Sequence, residues 1–225
     1  MTANPITRST LTSDTPMAAA TLADAKAQII AAGRWLDGKG WAPATAGNYS
    51  MRLADGRFAI TVSGWHKGRL TEFGVMTVDA EGRSLDGKKP SAETALHMAL
   101  YARFPAVNAV LHSHSPEAVG MSRAYADAPA FRLAGHEMLK VLPGFTTHDA
   151  AFDLPIVDNS QDMADIIAAL EPAMLAQTPP PAYLIRGHGL YGWGVDMAEA
   201  ERAIEGVEWM IAAELAEALF RGSMR

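Results

Sequence analysis

The spacing of apolar residues along the chain predicts helices at both ends and a middle section that is rich in strands. Apolar residues recur at helical intervals from Leu22 to Leu36, and again along a long final stretch that follows Asp196. The Thr21 hydroxyl can cap the first of these helices, and Gly38 can end it. We therefore expect two amphipathic helices to bracket the strand-rich middle.

Short runs of β-branched and other apolar residues between turn signals predict the strands of the middle section. These strands lie at 57–63, 75–78, 107–114, 152–157, 182–185 and 190–194. Two further helices are predicted at 91–103, where Ser91 can cap the first turn, and at 163–174. Ser115 followed by Pro116 is a capping residue before a first helical residue, so one more helix begins directly after the third of these strands.

Length and composition limit the kind of protein. The chain has 225 residues and no internal repeat, which favours one domain at 19–225 behind a polar tail at 1–18. It contains no cysteine, so disulfides and thiolate ligands are excluded, and we expect a reducing, cytoplasmic location. The net charge of −6 argues against a nucleic-acid partner. No apolar run approaches the roughly 20 residues that span a bilayer, so we expect no membrane partner.

Two histidines that are close in sequence are the strongest chemical signal. His112 and His114 flank Ser113 at the end of a predicted strand, where residues two apart point to the same face. A third histidine, His188, lies between two glycines, where the backbone can come close to a ligand. Three imidazoles can hold one divalent metal and leave a coordination position open, which is typical of catalytic zinc sites. The alternative is that these are ordinary polar residues at strand ends.

Three clusters of glycine and hydroxyl residues are candidates for binding a phosphate group. They contain Gly47 with Asn48, Ser63 with Gly64, and Ser91. Backbone N–H groups beside glycines can converge on an anion, and the helix that Ser91 would cap adds a favourable dipole. Each cluster taken alone is more typical of an ordinary turn. Lys67 could add a positive charge, although a loop lysine is usually solvated.

Glu93 and Glu137 are the candidates for acid–base chemistry. Glu93 falls in the first turn of a predicted helix, where a negative charge is favourable without any catalytic role. Glu137 follows His136 within an apolar stretch, where desolvation would raise its pKa and suit proton transfer near neutral pH. The many acidic residues of the final helix are more typical of its solvated face.

The order of five motifs resembles that of the class II aldolase/adducin family. The motifs are AGNYS at 46–50, TVSG at 61–64, KPSAET at 89–94, HSHS at 112–115 and RGHG at 186–189. The resemblance implies an α/β protein with a three-layer α/β/α fold, in which helices flank a central, mainly antiparallel sheet. It also implies a homotetramer that binds a sugar phosphate beside a divalent metal.

Three further segments are most similar to family members that dehydrate 5-methylthioribulose 1-phosphate in methionine salvage. The segments are SGWHKG at 63–68, GHEMLK at 135–140 and IVDNSQD at 156–162. By this resemblance, one Zn²⁺ per subunit would be bound by His112, His114 and His188. Glu137 would carry the proton, and Glu93 would be a fourth metal ligand or a second proton carrier. The phosphate pocket would be formed by Gly47, Asn48, Ser63, Gly64 and Ser91.

Two other functions stay open. A sugar-phosphate aldolase or 4-epimerase of the same family would share the metal and the phosphate pocket, because an enediolate serves these reactions equally well. Family aldolases that act on fuculose or rhamnulose phosphates typically use a tyrosine near the C-terminus, and this chain has none after Tyr191. The second alternative is an adducin-like interaction module without catalysis, in which we would expect the site residues to have decayed.

Overall fold

The computed structural model describes residues 20–175 and 181–223. In these residues the chain forms an eight-stranded sheet and five α-helices, which confirms the predicted α/β class. The helices are α1 (Leu22–Gly38), α2 (Thr94–Arg103), α3 (Pro116–Ala124), α4 (Met163–Met174) and α5 (Met197–Ser223). None of these helices is long and apolar enough to cross a membrane. The predicted tail at 1–18 lies outside the described residues.

The sheet is central and mainly antiparallel, as the family resemblance implies. Its strands are β1 (Asn48–Arg52), β2 (Phe58–Thr61), β3 (Val75–Val78), β4 (Ala109–Ser113), β5 (Ala130–Ala134), β6 (Ala151–Val157), β7 (Ala182–Ile185) and β8 (Gly189–Gly194). They are arranged in the order β3-β2-β1-β4-β8-β7-β6-β5. Of the neighbouring pairs in this sheet, only β6 and β7 run parallel. The middle of the sheet is therefore formed by β1, β4 and β8.

Helices cover both faces of the sheet. On one face α1, α3 and α5 pack through residues such as Ile29 into a first buried apolar cluster. On the other face α2 and α4 pack through residues such as Leu96 into a second cluster. Alternate residues of a strand point to opposite faces, so Leu111 belongs to the first cluster and Val110 to the second. The three layers that the resemblance implies are present.

Each predicted strand is present with small shifts at its ends. The strand predicted at 107–114 ends at Ser113, so His114 lies one residue beyond it. The sequence pattern does not predict β1 or β5. Gly47 and Asn48 are typical turn residues, yet Asn48 opens β1 and is buried together with Ser50. A strand that buries polar side chains in this way does not show the alternation that identifies strands in sequence.

Two helix caps agree with the prediction and one does not. The hydroxyls of Thr21 and Ser115 each accept a hydrogen bond from a backbone N–H in the first turn of α1 and α3, as predicted. Helix α2 begins at Thr94, so the prediction that Ser91 caps its first turn is wrong. The Ser91 hydroxyl instead accepts the N–H of Glu93 at 3.3 Å, in the turn that precedes the helix.

Candidate active site

One row of the sheet places three polar residues side by side on its middle strands. Asn48 of β1 pairs with His112 of β4, and His112 pairs with Tyr191 of β8. The fully buried His112 ring stacks on the Tyr191 ring with 4.0 Å between centroids. Because these residues belong to regular strands rather than to loops, their side chains are held in one orientation.

The three histidines predicted to bind metal come together at this row. The ring centroids of His112, His114 and His188 lie 4.4 to 5.1 Å apart. One nitrogen from each ring lies within 4.8 Å of the others, so the group could hold a metal ion. Gly189 allows this close approach, because a Cβ there would meet the Ser113 carbonyl and lie 2.9 Å from His112 Cε1.

The protonation state of these histidine rings leaves nitrogen lone pairs free to bind a cation. His112 Nδ1 lies 3.0 Å from the Leu190 carbonyl, which can only accept, so Nδ1 carries the proton and Nε2 keeps its lone pair. Among the described residues, His112 Nε2 and His188 Nδ1 are buried without a hydrogen-bond partner. Burial and the neighbouring histidines lower the pKa of His112 well below its usual value and that of His114 to about 4. Neutral imidazoles with unpartnered nitrogens fit a metal ion.

Glu93 lies against this cluster. Its Oε1 is 3.0 Å from His188 Nε2, and its Oε2 is 3.7 Å from His112 Nε2. Tyr191 Oη and Asn48 Nδ2 also donate to Oε2. Burial alone would raise the pKa of Glu93, but the hydrogen bond from His188 and the other donors outweigh burial and lower this pKa well below its usual range. Glu93 is therefore an ionised carboxylate that touches two of the three histidines.

A hydrogen-bonded chain behind Glu93 fixes the orientation of Asn48. Because Asn48 Nδ2 donates to Glu93, its Oδ1 accepts from His97 Nε2. His97 Nδ1 then accepts from the Ser50 hydroxyl at 2.7 Å, and the Ser50 oxygen lies 2.8 Å from the Tyr101 hydroxyl. Burial lowers the pKa of His97 to about 4, so the ring is neutral and can donate and accept at the same time. The amide of Asn48 is thereby held with its N–H groups towards Glu93.

The five residues predicted to bind phosphate line one cavity beside the histidines. The cavity has a volume of about 260 Å³, and its lining includes Gly47, Asn48, Ser63, Gly64 and Ser91 together with Glu93 and His114. Gly47 and Gly64 have φ angles of 82° and 78°, a conformation that favours glycine. A Cβ on Gly47 would also lie 2.7 Å from the His112 carbonyl. Clusters that are far apart in sequence thus meet at one small polar cavity.

Lys67 is a site residue that the sequence pattern does not reveal. The expectation that this loop lysine is solvated is wrong, because the residue is only 2% exposed and lines the same cavity. Its Nζ donates to the carbonyl oxygens of Thr45 and Trp65 at 2.8 and 2.7 Å. Burial lowers the pKa of Lys67 to about 8, although the nearby Glu93 charge acts in the opposite direction.

No described contact joins Glu137 to the histidine cluster of its own chain. It begins the 3₁₀-helix Glu137–Val141, and its side chain is 70% exposed. Its carboxylate pairs with Lys140 and lies 3.6 Å from His148. The hydrogen bond from Lys140 lowers the pKa of Glu137, so the expectation of a desolvated carboxylate with a raised pKa is wrong. The acid–base role of Glu137 stays a prediction.

A buried carboxylate on α5 supports the strand end that carries the histidines. Glu208 is only 2% exposed, so the expectation that the acidic residues of the final helix form its solvated face is wrong for this residue. Its carboxylate accepts hydrogen bonds from the Ser113 hydroxyl at 2.6 Å and from the Ser115 hydroxyl. These two serines flank His114 in sequence. Burial raises the pKa of Glu208 to about 7, although the two hydroxyl donors oppose this shift. The folded chain therefore holds a proton on Glu208 in a pH range where the unfolded chain has released it.

Replacing Glu208 with glutamine is expected to change how stability depends on pH. Because the pKa of Glu208 rises from 4.5 to about 7 on folding, its contribution to stability is fully present below about pH 4.5. That contribution is lost as the pH rises to about 7, which corresponds to a fall of about 3 kcal/mol in the free energy of unfolding. This fall should be absent in Glu208→Gln.

Urea unfolding of the wild type and the variant at about pH 5 and about pH 7.5 measures this difference. Glu205→Gln is a matched control, because Glu205 lies on the same helix but is exposed and pairs with Lys39 at 2.7 Å. The control should follow the wild type. If Glu208→Gln showed the same change between the two pH values as the wild type, the raised pKa would be refuted.

The fold is that of an α/β protein, in which a mainly antiparallel sheet lies between layers of helices. Three histidines lie beside a carboxylate and a glycine-lined cavity, so the protein can hold a metal ion. The model of the family described as Class II Aldolase and Adducin N-terminal domain matches residues 27–215. The chain therefore belongs to the class II aldolase and adducin family, and the resemblance that its motifs indicate is confirmed.

Curated relatives and a solved structure match most of the chain. Methylthioribulose-1-phosphate dehydratase from Methylococcus capsulatus is 48% identical over 188 residues, which cover 84% of this chain and 91% of the relative. The protein of the same name from Xanthomonas campestris pv. campestris is 46% identical over 205 residues, covering 91% and 94%. The structure of L-fuculose-1-phosphate aldolase from Thermus thermophilus matches with a TM-score of 0.70 at 28% identity, covering 88% of this chain and 95% of the other.

Proposed function

We propose that the chain catalyses the metal-dependent dehydration of 5-methylthioribulose 1-phosphate to 2,3-diketo-5-methylthiopentyl 1-phosphate in methionine salvage. The observation that carries the proposal is the convergence of three histidines, an ionised carboxylate and a small polar cavity on the middle strands of the sheet. Relatives with 48% and 46% identity bear the name of this enzyme, which supports the choice of substrate. The reaction would take place in the cytoplasm, in keeping with a chain that lacks cysteine.

We assign the metal to His112, His114 and His188, and we propose one Zn²⁺ per subunit. Zinc is commonly held by three protein ligands in catalytic sites, although three imidazoles also accept other divalent metals. When bound, the metal would supply Lewis-acid stabilisation for negative charge that develops on the substrate oxygens. The lowered pKa values of His112 and His114 keep both imidazoles neutral, so their nitrogen lone pairs can bind a metal without first losing a proton.

The proposed reaction removes a proton at C3, next to the C2 carbonyl, and expels the C4 hydroxyl as water. Loss of the C3 proton to a base gives an enediolate. The C4 hydroxyl accepts a proton and departs as water, which leaves an enol with its hydroxyl on C3. The enol takes up a proton at C4 and releases the proton of its C3 hydroxyl, which gives the 2,3-diketone. The chain must therefore supply a base for C3 and an acid for the C4 oxygen.

We assign proton transfer at C3 to Glu137. Because Glu137 is exposed and makes no described contact with the histidines of its own chain, we propose that it acts at the cluster of a neighbouring subunit. This requires assembly, and we propose a homotetramer of subunits that each hold one catalytic domain at 19–225. Glu93, which touches His188 and His112, would be a fourth metal ligand or a second proton carrier.

The phosphate group of the substrate would occupy the polar cavity. Backbone N–H groups beside Gly47 and Gly64 are suited to an anion. The Ser91 hydroxyl accepts from the backbone N–H of Glu93, which leaves its own proton able to donate to a phosphate oxygen. Because His114 lines the same cavity, a phosphate held there would place C2 and C3 of the sugar next to the histidines.

Product analysis with three sugar phosphates tests the proposal against the aldolase alternative. An aldolase would cleave fuculose 1-phosphate or rhamnulose 1-phosphate to dihydroxyacetone phosphate and an aldehyde, and the shared fold of the Thermus enzyme makes this comparison informative. We expect no dihydroxyacetone phosphate from these two sugars, and loss of water from 5-methylthioribulose 1-phosphate. Cleavage without dehydration would assign the chain to the aldolase branch. If metal-loaded protein gave neither reaction, a non-catalytic interaction module would be favoured.

A further inference from the structure

Lys67 brings a positive charge to the cavity without an anionic partner. It opens the 3₁₀-helix Lys67–Arg69, shortly after the turn at Gly64. Its Nζ donates to the carbonyl oxygens of Thr45 and Trp65, which are neutral groups. Among the residues that the structure describes, no carboxylate lies within 4.0 Å of this ammonium group. Lys67 is therefore a buried ammonium group whose hydrogen-bond partners are two backbone carbonyls and which has no described carboxylate within salt-bridge distance.

Burial of an unpaired ammonium group is unfavourable, and a lysine without an anionic partner normally extends its amine into solvent. Desolvation lowers the pKa of Lys67 to about 8, which still leaves the amine mostly charged at neutral pH. An ammonium group has three N–H donors, and the two carbonyls use two of them. The side chain lines the cavity, and the two carbonyls leave one N–H of Nζ without a hydrogen-bond partner among the described residues.

The charges around the cavity favour an anionic ligand only if Lys67 contributes. The cavity is also lined by Glu93, whose carboxylate would repel a phosphate dianion. Of the described residues that line the cavity, Lys67 is the only lysine or arginine.

We propose that Lys67 binds the phosphate monoester of the substrate through a charge-assisted hydrogen bond from its Nζ. The ion pair forms when the substrate arrives, so Lys67 favours the phosphorylated sugar over its unphosphorylated form. The identity of the sugar rests on the proposed function. Phosphate binding does not, because inorganic phosphate can be tested by itself.

The test measures binding of inorganic phosphate to the full chain by calorimetry, after treatment with a chelator so that metal does not contribute. The proteins compared are the wild type, Lys67→Met, Lys67→Gln and Lys88→Met. Lys88 is a matched control, because its Nζ also donates to a backbone carbonyl, that of Val75 at 2.9 Å, but does not line the cavity. We expect both Lys67 variants to weaken phosphate binding by about tenfold or more, and Lys88→Met to leave it unchanged.

Thermal unfolding distinguishes this role from a purely structural one. If Lys67 only held the Thr45 and Trp65 carbonyls, Lys67→Met would lower the Tm, and Lys67→Gln, which keeps donors but has no charge, would retain wild-type phosphate affinity. We expect instead that the Tm of Lys67→Gln is not lowered, because an unpaired buried charge is removed. Wild-type affinity in Lys67→Gln would overturn the proposal, and so would a wild type that does not bind phosphate. A dehydration assay separates this inference from the proposed function. If phosphate binding depends on Lys67 but 5-methylthioribulose 1-phosphate is not dehydrated, the proposed function fails and the inference about Lys67 stands.

Discussion

His112→Ala is expected to remove the bound metal and the dehydratase activity together. The His112 ring is held by the Leu190 carbonyl and by stacking on Tyr191, with a buried Nε2 that has no hydrogen-bond partner among the described residues. Alanine removes this ligand, so metal affinity should fall by more than the roughly 10- to 100-fold that loss of an outer hydrogen-bond partner costs. His188→Ala should have the same effect, because it too leaves two imidazoles.

Metal content after dialysis, measured by mass spectrometry together with initial rates, tests this prediction. His66→Ala is the control for metal content, because His66 lies outside the cluster, 3.9 Å from Asp37. The control should keep the wild-type metal content. Full metal content in His112→Ala would show that the metal lies elsewhere. A variant that loses the metal but keeps its rate would refute the metal-dependent chemistry.

Glu137→Gln is expected to keep the metal and lose about 10²- to 10⁴-fold in kcat. Glutamine has nearly the same size as glutamate but cannot accept the C3 proton. Metal binding should be unaffected, because Glu137 contacts Lys140 and His148 rather than the histidine cluster of its own chain. Glu81→Gln is a matched control, because Glu81 is also exposed and paired with a basic residue, Arg83, and it should retain the wild-type rate.

Mixed assemblies test whether Glu137 acts on a neighbouring subunit. Glu137→Gln and His112→Ala chains should each be inactive alone, and coexpression should restore part of the activity if one chain supplies the carboxylate and the other the histidines. If coexpression restored no activity, Glu137 would not act at the histidine cluster of a neighbouring subunit. Near-normal rates in Glu137→Gln itself would transfer the acid–base role to Glu93, and Glu93→Gln would then show the loss in kcat.

Much of the fold follows from local patterns in the sequence. The caps at Thr21 and Ser115 depend on hydrogen bonds within three residues, so they can be predicted without knowledge of the rest of the chain. The proximity of His112 and His114 follows in the same way from the two-residue period of a strand. These predictions are confirmed because the physical cause is local.

Residues whose surroundings come from distant segments are not predictable in this way. Asn48 and Ser50 have the composition of a turn. They form part of a buried strand because His97 of α2 donates a hydrogen bond to the Asn48 side chain and accepts one from the Ser50 hydroxyl. The local pattern predicts that Ser91 caps α2, but the chain turns at Ser91 so that Glu93 can reach the histidines. The tertiary contact overrides the local preference.

Exposure is the property that the sequence predicts least well here. Lys67 is buried because two backbone carbonyls from separate turns, at Thr45 and Trp65, accept its donors. Glu137 lies in an apolar stretch, yet its carboxylate points to solvent while Leu139 of the same short helix is buried. No periodicity distinguishes these outcomes, because each depends on which neighbouring side chain fills the core.

The most direct test of the account is an NMR measurement of 5-methylthioribulose 1-phosphate incubated with metal-loaded and metal-stripped protein. We expect the C4 carbinol signal to disappear and a 2,3-diketone to form with the loaded protein, and no change with the stripped protein until metal is restored. Equal conversion by both preparations would contradict the role assigned to the histidine cluster. An unchanged substrate with fully loaded protein would contradict the proposed function.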